Sequence, residues 1–424
     1  MKKIQSILRV LAARLLVGAL TLFFLLKTYW KIRKSKYIFV NFRAFGHSIS
    51  DTNAFLSTFP HKGFCISIGN RYERNPSMPS VYSSNNLIQF ILPKPKWAGR
   101  TNLRKITGPL LVKFLKSLQR IGLITKTTVI FDENQKVVLE CLKRKTSNRL
   151  KLSNTSIRNV LNYIESVDKN AREHSKTIGT WAQIYDPETI GSGRQENLTD
   201  KIFLRELEKK GVSTEKLITF IIRVGNSPHH GPGLRNYLPA IDFLQGKGYS
   251  IIPLGDSAEF EKSRELDRKG IILPQELEVE RRSIDFSSIL YSKFTIGDMS
   301  GLWPIFTMRG KRGLCLNTIP AKFLMNRVEV LPRRWKNESG NTMSISEQFG
   351  PFGETVRGIN RERVINGYKA TFYDSKTILK CVRRFESEAI LETQLKIQEP
   401  FLKYFAEYPP EMLTNCSIAP EILI

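Results

Sequence analysis

The chain has 424 residues, and its 66 Lys and Arg outnumber 39 Asp and Glu to give a formal net charge of +27. Apolar residues make up 41%, and 25 Phe, 13 Tyr and 5 Trp supply enough bulk for packed cores, which excludes general disorder. The length predicts two domains, and a single apolar stretch near the N-terminus excludes a polytopic membrane protein.

That stretch comes first in the chain. Leu15–Leu26 is uninterrupted and apolar, and Val10 joins it if Arg14 is tolerated inside. Roughly 20 apolar residues are needed to cross a bilayer, so residues 1–36 read as an anchor with Arg14 snorkelling or as a helix lying in the interface, and a signal peptide is disfavoured because basic residues and no small-residue cleavage site follow Leu26. Lys2, Lys3, Arg9 and Arg14 precede it and Lys27, Lys31, Arg33, Lys34 and Lys36 follow it, so flanking charge does not choose an orientation.

Residues 37–200 predict a basic Rossmann-like domain. Tyr37–Phe42 is rich in strand formers, a Gly-bearing loop and a short amphipathic stretch to about Phe59 follow, and Phe64–Ile68 is the next strand. This is the opening of a βαβ unit. A long basic helix is expected over residues 100–125 and a brief strand at Val129–Phe131.

Residues 201–370 predict a second Rossmann-like domain. Leu217–Arg223 is an almost continuous apolar strand, as a strand covered on both faces requires. A Gly/Pro loop, a helix over Tyr237–Gln245 stopped at Gly246-Lys-Gly248, and a strand over Tyr249–Leu254 come next. The helix Ile284–Tyr291, strand Phe294–Gly297, helix Leu302–Met308 and strand Gly313–Asn317 continue the alternation, which specifies a parallel sheet. Residues 371–424 read as C-terminal helices that pack back on the N-terminal domain.

The charge is divided unevenly. Residues 1–200 hold 33 basic and 12 acidic side chains, whereas residues 201–424 hold 33 and 27. A basic half attracts an anionic membrane surface, a phosphate-bearing substrate or nucleic acid; no nucleic-acid-binding motif is present, so nucleic acid is not the expected partner. Cys65, Cys141, Cys315, Cys381 and Cys416 are odd in number, scattered and free of C-x-x-C spacing. They predict buried thiols in a reducing compartment rather than a disulfide framework or a zinc site.

Candidate chemistry lies where strands end. Asp298-Met-Ser-Gly301 follows a buried strand and opens a helix, where free N–H groups suit a phosphate; Gly301 permits close approach and Ser300 adds a donor. Asp298 or Ser300 capping that helix is the plainer alternative. Arg223 ends the apolar strand beside a Gly/Pro loop, and its guanidinium suits a diphosphate, unless it makes a structural ion pair. Gly255-Asp256 closes the next strand, to meet a base or ribose or simply to turn. In the first domain Gly46-His47, with Asp51 four residues on, offers a general base, although a loop histidine often has no catalytic part. His229 and His230 follow Arg223 and line the site or are solvated. No G-x-S-x-G elbow, P-loop, G-x-G-x-x-G or D-x-D pair occurs.

Phe220–Arg223, Arg235-Asn-Tyr-Leu-Pro-Ala-Ile241, Lys247-Gly-Tyr249, Pro253-Leu-Gly-Asp256 and Gly297-Asp-Met-Ser-Gly301 together resemble a family of bacterial glycosyltransferases encoded among surface-polysaccharide genes and similar to GT-B enzymes. Phe45-Gly-His47 is a weaker match. The chain departs from the pattern after Arg235-Asn236, where the family's acidic residue is missing. The resemblance implies an α/β fold of two Rossmann-like domains facing across a cleft, a nucleotide-sugar donor bound through residues that include Asn236, and a glycan or lipid-linked acceptor. The missing D-x-D pair argues against a carboxylate-held metal, so no metal or other cofactor is expected, and the scattered free cysteines place the main body at the cytoplasmic face of the inner membrane. Arg223 resembles the donor-diphosphate arginine of fucosyltransferase-type GT-B enzymes. A sugar-nucleotide epimerase of the same architecture and a non-catalytic polyanion binder are the alternatives.

Overall fold

The computed structural model describes residues 28–41, 63–70, 87–92, 103–131, 198–223, 231–255, 270–279, 281–303, 311–318, 327–344, 364–365, 367–388 and 417–423, together with Leu15, Leu16, Gly18, Ala19, Leu22, Phe23, Leu26, Thr52 and Phe55. They divide between two compact units. The first is Met1–Ala182 with Ser192–Gln195, and the second is Gln183–Gly191 with Glu196–Ile424.

The first unit is built on four parallel strands, β1 (Tyr37–Asn41), β2 (Gly63–Asn70), β3 (Leu87–Leu92) and β4 (Val129–Phe131), in the order β3-β2-β1-β4. β1 is buried throughout because it has a strand on each side and a layer on each face. On one face Ile38, Val40, Phe64, Ile66 and Ile68 pack with Leu111, Val112 and Leu115 of the Leu103–Arg120 helix, and with Ile32 and Ile124. On the other face Phe39, Phe55 and Phe131 meet ring to ring. β3 was not anticipated: its Leu-Ile-Gln-Phe-Ile-Leu run is short and flanked by polar sequence, and pairing with β2 gives it its role.

The second unit holds a six-stranded sheet: β5 (Leu217–Ile222), β6 (Ser250–Gly255), β7 (Phe294–Asp298), β8 (Gly313–Thr318), β9 (Val328–Pro332) and β13 (Ser417–Ile418), in the order β13-β9-β8-β7-β5-β6. Every pairing is parallel, and β5, β7, β8 and β9 are buried end to end. The Leu238–Gly246 helix carries Pro239 in its first turn and stops as anticipated, with Gly248 at a φ of +79° and Tyr249 N–H returning to Leu244 O at 3.1 Å. A separate antiparallel sheet of β10 (Arg334–Asn337), β11 (Val364–Ile365) and β12 (Tyr368–Thr371) packs on Trp335 and Met343. This sheet carries no strong alternation in sequence and was not foreseen.

The C-terminal segment belongs to the second unit in its described parts, whereas the sequence placed residues 371–424 on the N-terminal domain. The Ser375–Glu386 helix is capped by Asp374, which accepts from Thr377 N–H at 2.8 Å, and its Ile378, Cys381, Val382 and Phe385 face is buried. It packs on the Leu238–Gly246 helix, and β13 extends the large sheet beside β9. What decides this is a buried ion cluster. Arg384 forks onto Glu329 of β9, with its Nη1 donating at 3.1 Å and its Nη2 closer still, while its Nε donates to Glu421 at 2.9 Å. Glu329, Cys381 and Glu421 also sit close enough for a cation, but the guanidinium already takes that place. Arg384→Met leaves two buried carboxylates without a counter-charge, so unfolding in urea will show a loss of about 3–5 kcal/mol; a loss below about 1 kcal/mol would mean the cluster is not holding the C-terminus.

Candidate functional site

Parallel strands bring all their carboxyl ends to one edge, which is where open α/β sheets collect ligands. Along this edge of the second unit stand Arg333 after β9, Asn317 and Thr318 ending β8, Asp298 ending β7, Arg223 after β5, and Gly255 ending β6.

Asp298 is the centre of this arrangement. It is 1% exposed. Its Oδ1 accepts a short hydrogen bond from the Tyr237 hydroxyl and a second from Asn317 Nδ2 at 3.3 Å. Its Oδ2 accepts from the Arg223 backbone N–H at 2.9 Å. Asn317 Nδ2 also donates to the Tyr237 oxygen at 3.0 Å, and Arg333 Nε donates to Asn317 O at 3.3 Å. One carboxylate therefore ties together the chain after β5, the start of the Leu238–Gly246 helix and the end of β8. Arg223 O accepts from Gly231 N–H at 2.6 Å, which closes the neck of the intervening loop. Gly231 has to be glycine: a Cβ there would lie 2.0 Å from Asp298 Oδ2. Gly297 is under the same constraint, with a φ of +139° and β5 backbone 2.0 Å from any Cβ.

Burial raises the Asp298 carboxyl from its ordinary value to about 6, held back by the bonds from Tyr237, Arg223 and Asn317 and by the Arg333 charge. The Tyr237 hydroxyl is pushed well up, by burial first and the Asp298 charge second. Both of its oxygens accept from the chain's own donors.

The turn after β7 is wound around an indole. Trp303 is buried, its Nε1 donates to Asp298 O at 2.9 Å and its N–H to Ser300 O at 3.3 Å. Ser300 Oγ accepts from Leu302 N–H at 3.3 Å, the local capping alternative foreseen for it, while Gly301 stands exposed at the tip. Asn236 is half-buried in the Leu234–Asn236 turn directly before Tyr237. Gly255 lies opposite Ile222 in the sheet register. The structure therefore brings Arg223, Asn236, Gly255, Asp298, Ser300 and Gly301 to one edge.

His47, Asp51, Asp256, His229 and His230 lie outside the described residues. Asn41 at the carboxyl end of β1 donates to Thr52 Oγ1 at 2.8 Å, which joins the chain on either side of residues 42–51. Tyr237, Asn317 and Arg333 went unread in the sequence. Tyr237 passed for an ordinary helix start, and the polar Asn317 ending an apolar strand was the one available signal. Cys65, Cys315 and Cys381 are buried and free, and burial pushes the Cys315 and Cys381 thiols well up, which leaves them inert.

No family model and no curated protein matches the chain. Solved structures align over most of it at low identity. A glycosyl transferase family 9 protein from Veillonella parvula is 12% identical over 84% of this chain and 99% of its own, with a TM-score of 0.46. The E. coli ADP-heptose LPS heptosyltransferase II is 13% identical over 77% and 98%, with a TM-score of 0.39. The UDP-GlcNAc 2-epimerase from Methanocaldococcus jannaschii is 12% identical over 83% and 99%, with a TM-score of 0.37. At these scores the likeness carries no functional argument, and the α/β class rests on the parallel sheets themselves.

Asp298→Asn replaces one acceptor oxygen by an amide donor facing the chain's own donors, and will cost about 1–3 kcal/mol at neutral pH. Because the folded carboxyl is raised above its unfolded value, its contribution is complete below about pH 4 and fades as pH rises through about 6. Denaturation from pH 4 to 7 will show the wild type losing stability relative to the variant as pH rises; a gap that widens with pH would contradict this account of Asp298.

Proposed function

We propose that the chain is a glycosyltransferase that moves a sugar from a nucleotide-sugar donor to a surface-glycan acceptor, carried on a lipid at the cytoplasmic face of the bacterial inner membrane, without a metal ion. The observation that carries this reading is Arg223: a half-buried guanidinium-bearing residue whose backbone is locked to a buried carboxylate at the carboxyl edge of a parallel sheet, beside the exposed Gly301 turn. A leaving nucleoside diphosphate gathers negative charge as the C1–O bond breaks. A fixed cation and fixed amide donors lower that barrier because they need no rearrangement when the charge appears.

Arg223 and the Ser300-Gly301 turn meet the diphosphate, and Asn236, Gly255 and Asp256 hold the nucleoside end. His47, or Asp51, takes the proton of the acceptor hydroxyl as its oxygen attacks the anomeric carbon. Asp298 keeps Arg223 in place and makes no contact with the donor.

The purified full chain should be warmed with UDP, GDP, CDP, ADP and CMP, and its donor turnover followed with and without a glycolipid acceptor. One nucleoside diphosphate will raise the melting temperature, and Arg223→Ala will lower turnover about 100-fold, with Arg223→Lys recovering part of it. Unchanged turnover in Arg223→Ala would remove the leaving-group role. Conversion of the donor sugar with no acceptor present would replace transfer by epimerisation.

A further inference from the structure

We infer that the first unit docks on an anionic bilayer through two apolar elements at once, the outward face of its N-terminal helix and the turn Ile121-Gly122-Leu123. This deepens the membrane placement proposed above by assigning the surface that makes it.

The described residues between Leu15 and Ile32 are helical. At about 100° per residue, Leu15, Leu22, Phe23, Leu26 and Trp30 fall within one arc, and Thr28 and Ile32 fall on the opposite side. The inward pair is buried, with Ile32 in the core beneath β1 and β2. The outward stripe is not: Phe23 and Leu26 are each 68% exposed and Trp30 65%. A water-soluble surface helix has its apolar stripe facing the core; here the apolar stripe faces out. No described helix is long and apolar enough to cross a membrane.

The second element is independent in sequence and adjacent in space. The Leu103–Arg120 helix ends at Gly122, which has a φ of +81°, and the chain turns back through Leu123. Ile121 is 69% exposed and Leu123 46%. This exposure is built in. Gln119 Nε2 donates to the carbonyls of Thr125, Lys126 and Thr128 at 3.3, 2.9 and 2.7 Å, and Thr128 Oγ1 donates to Ser35 O at 2.9 Å. Tyr29, on the flank of the stripe, donates from its hydroxyl to Leu123 O at 3.1 Å and so joins the two elements directly. Of the ten strongly exposed large apolar side chains among the described residues, nine are in this unit. Isolated exposed leucines need no explanation, but a continuous patch does.

Charge selects the occupant. Residues 1–131 contain 22 Lys and Arg against only Asp51 and Glu73. Lys31, Lys34, Lys36, Arg120 and Lys126 are exposed around the patch, and the Arg33 guanidinium lies 4.1 Å from the Trp30 ring centroid. An apolar stripe bordered by cations and an interfacial tryptophan fits the headgroup layer of an anionic membrane. A nucleic acid would use the cations and leave the stripe in water.

Flotation of the purified full chain with phosphatidylglycerol/phosphatidylethanolamine vesicles, and with phosphatidylcholine vesicles, tests the assignment. Binding to the anionic vesicles will exceed binding to the neutral ones and weaken with salt. Phe23→Ser with Leu26→Ser, and separately Ile121→Ser with Leu123→Ser, will each weaken it about tenfold. Melting temperatures will not move, because all four side chains are already exposed. If the Ile121/Leu123 variant floats like the wild type, the turn does not touch lipid and the two-element surface is wrong, while membrane placement by the helix survives. If the wild type itself does not float, or if it forms a dimer that the Phe23/Leu26 substitutions dissolve, the membrane placement fails as well. None of these readings uses donor or acceptor, so they stand apart from the test of transfer.

Discussion

A single carboxylate inside the second unit sets the geometry of everything along the sheet's carboxyl edge. Burying Asp298 is costly, and the cost is offset only because three donors from three separate stretches of chain converge on it: the Tyr237 hydroxyl, the Arg223 amide and the Asn317 side chain. A shift in any of those stretches would remove a hydrogen bond from the buried carboxylate. Gly231 enforces the same closeness from the other side, since the carboxylate occupies the space a side chain would need. Arg223 is thereby fixed by its backbone at the end of β5. Electrostatic catalysis depends on this kind of arrangement, in which the charge is in place before the reaction asks for it.

The two units use charge in opposite ways. In the second, the charges that matter are internal. Arg384, Glu329 and Glu421 neutralise one another beneath the surface and sew the last residues of the chain to β9. A cluster of this kind adds specificity more than net stability, because hydrophobic replacements of similar volume often do as well. In the first unit the positive charge has few acidic counterparts over residues 1–131, where only Asp51 and Glu73 are acidic, and its described lysines Lys31, Lys34, Lys36 and Lys126 are exposed. There it acts at a distance, within roughly a Debye length of about 8 Å at physiological salt, and it sits beside an apolar stripe that has no core to face. The first arrangement closes the fold and the second leaves the surface open to a partner.

Much of the parallel framework was legible from sequence. Leu217–Ile222, Phe294–Asp298 and Gly313–Thr318 are largely apolar because both of their faces are covered, and this made them legible as strands. The Leu238–Gly246 helix announced its end through Gly246-Lys-Gly248. β3, β10, β11 and β12 were not legible, because short edge and antiparallel strands take their identity from the partner they pair with rather than from their own pattern. Along the carboxyl edge, Arg223, Ser300 and Gly301 were legible as strand-end residues. Tyr237, Asn317 and Arg333 were not, since a tyrosine opening a helix and an asparagine closing a strand are common and silent until they meet.

By itself, then, the sequence determined the α/β class, the uneven charge and the ends of the main parallel strands, all of which follow from local periodicity and composition. Only the tertiary structure decided that Asp298 faces inward, that the described C-terminal elements belong to the second unit, and that the apolar stripe of the N-terminal helix points out beside Ile121 and Leu123. Each of these depends on residues far apart in the chain meeting across a core. No local pattern encodes such a meeting; the packing that excludes water from one side of an element and leaves the other side wet is a property of the whole fold.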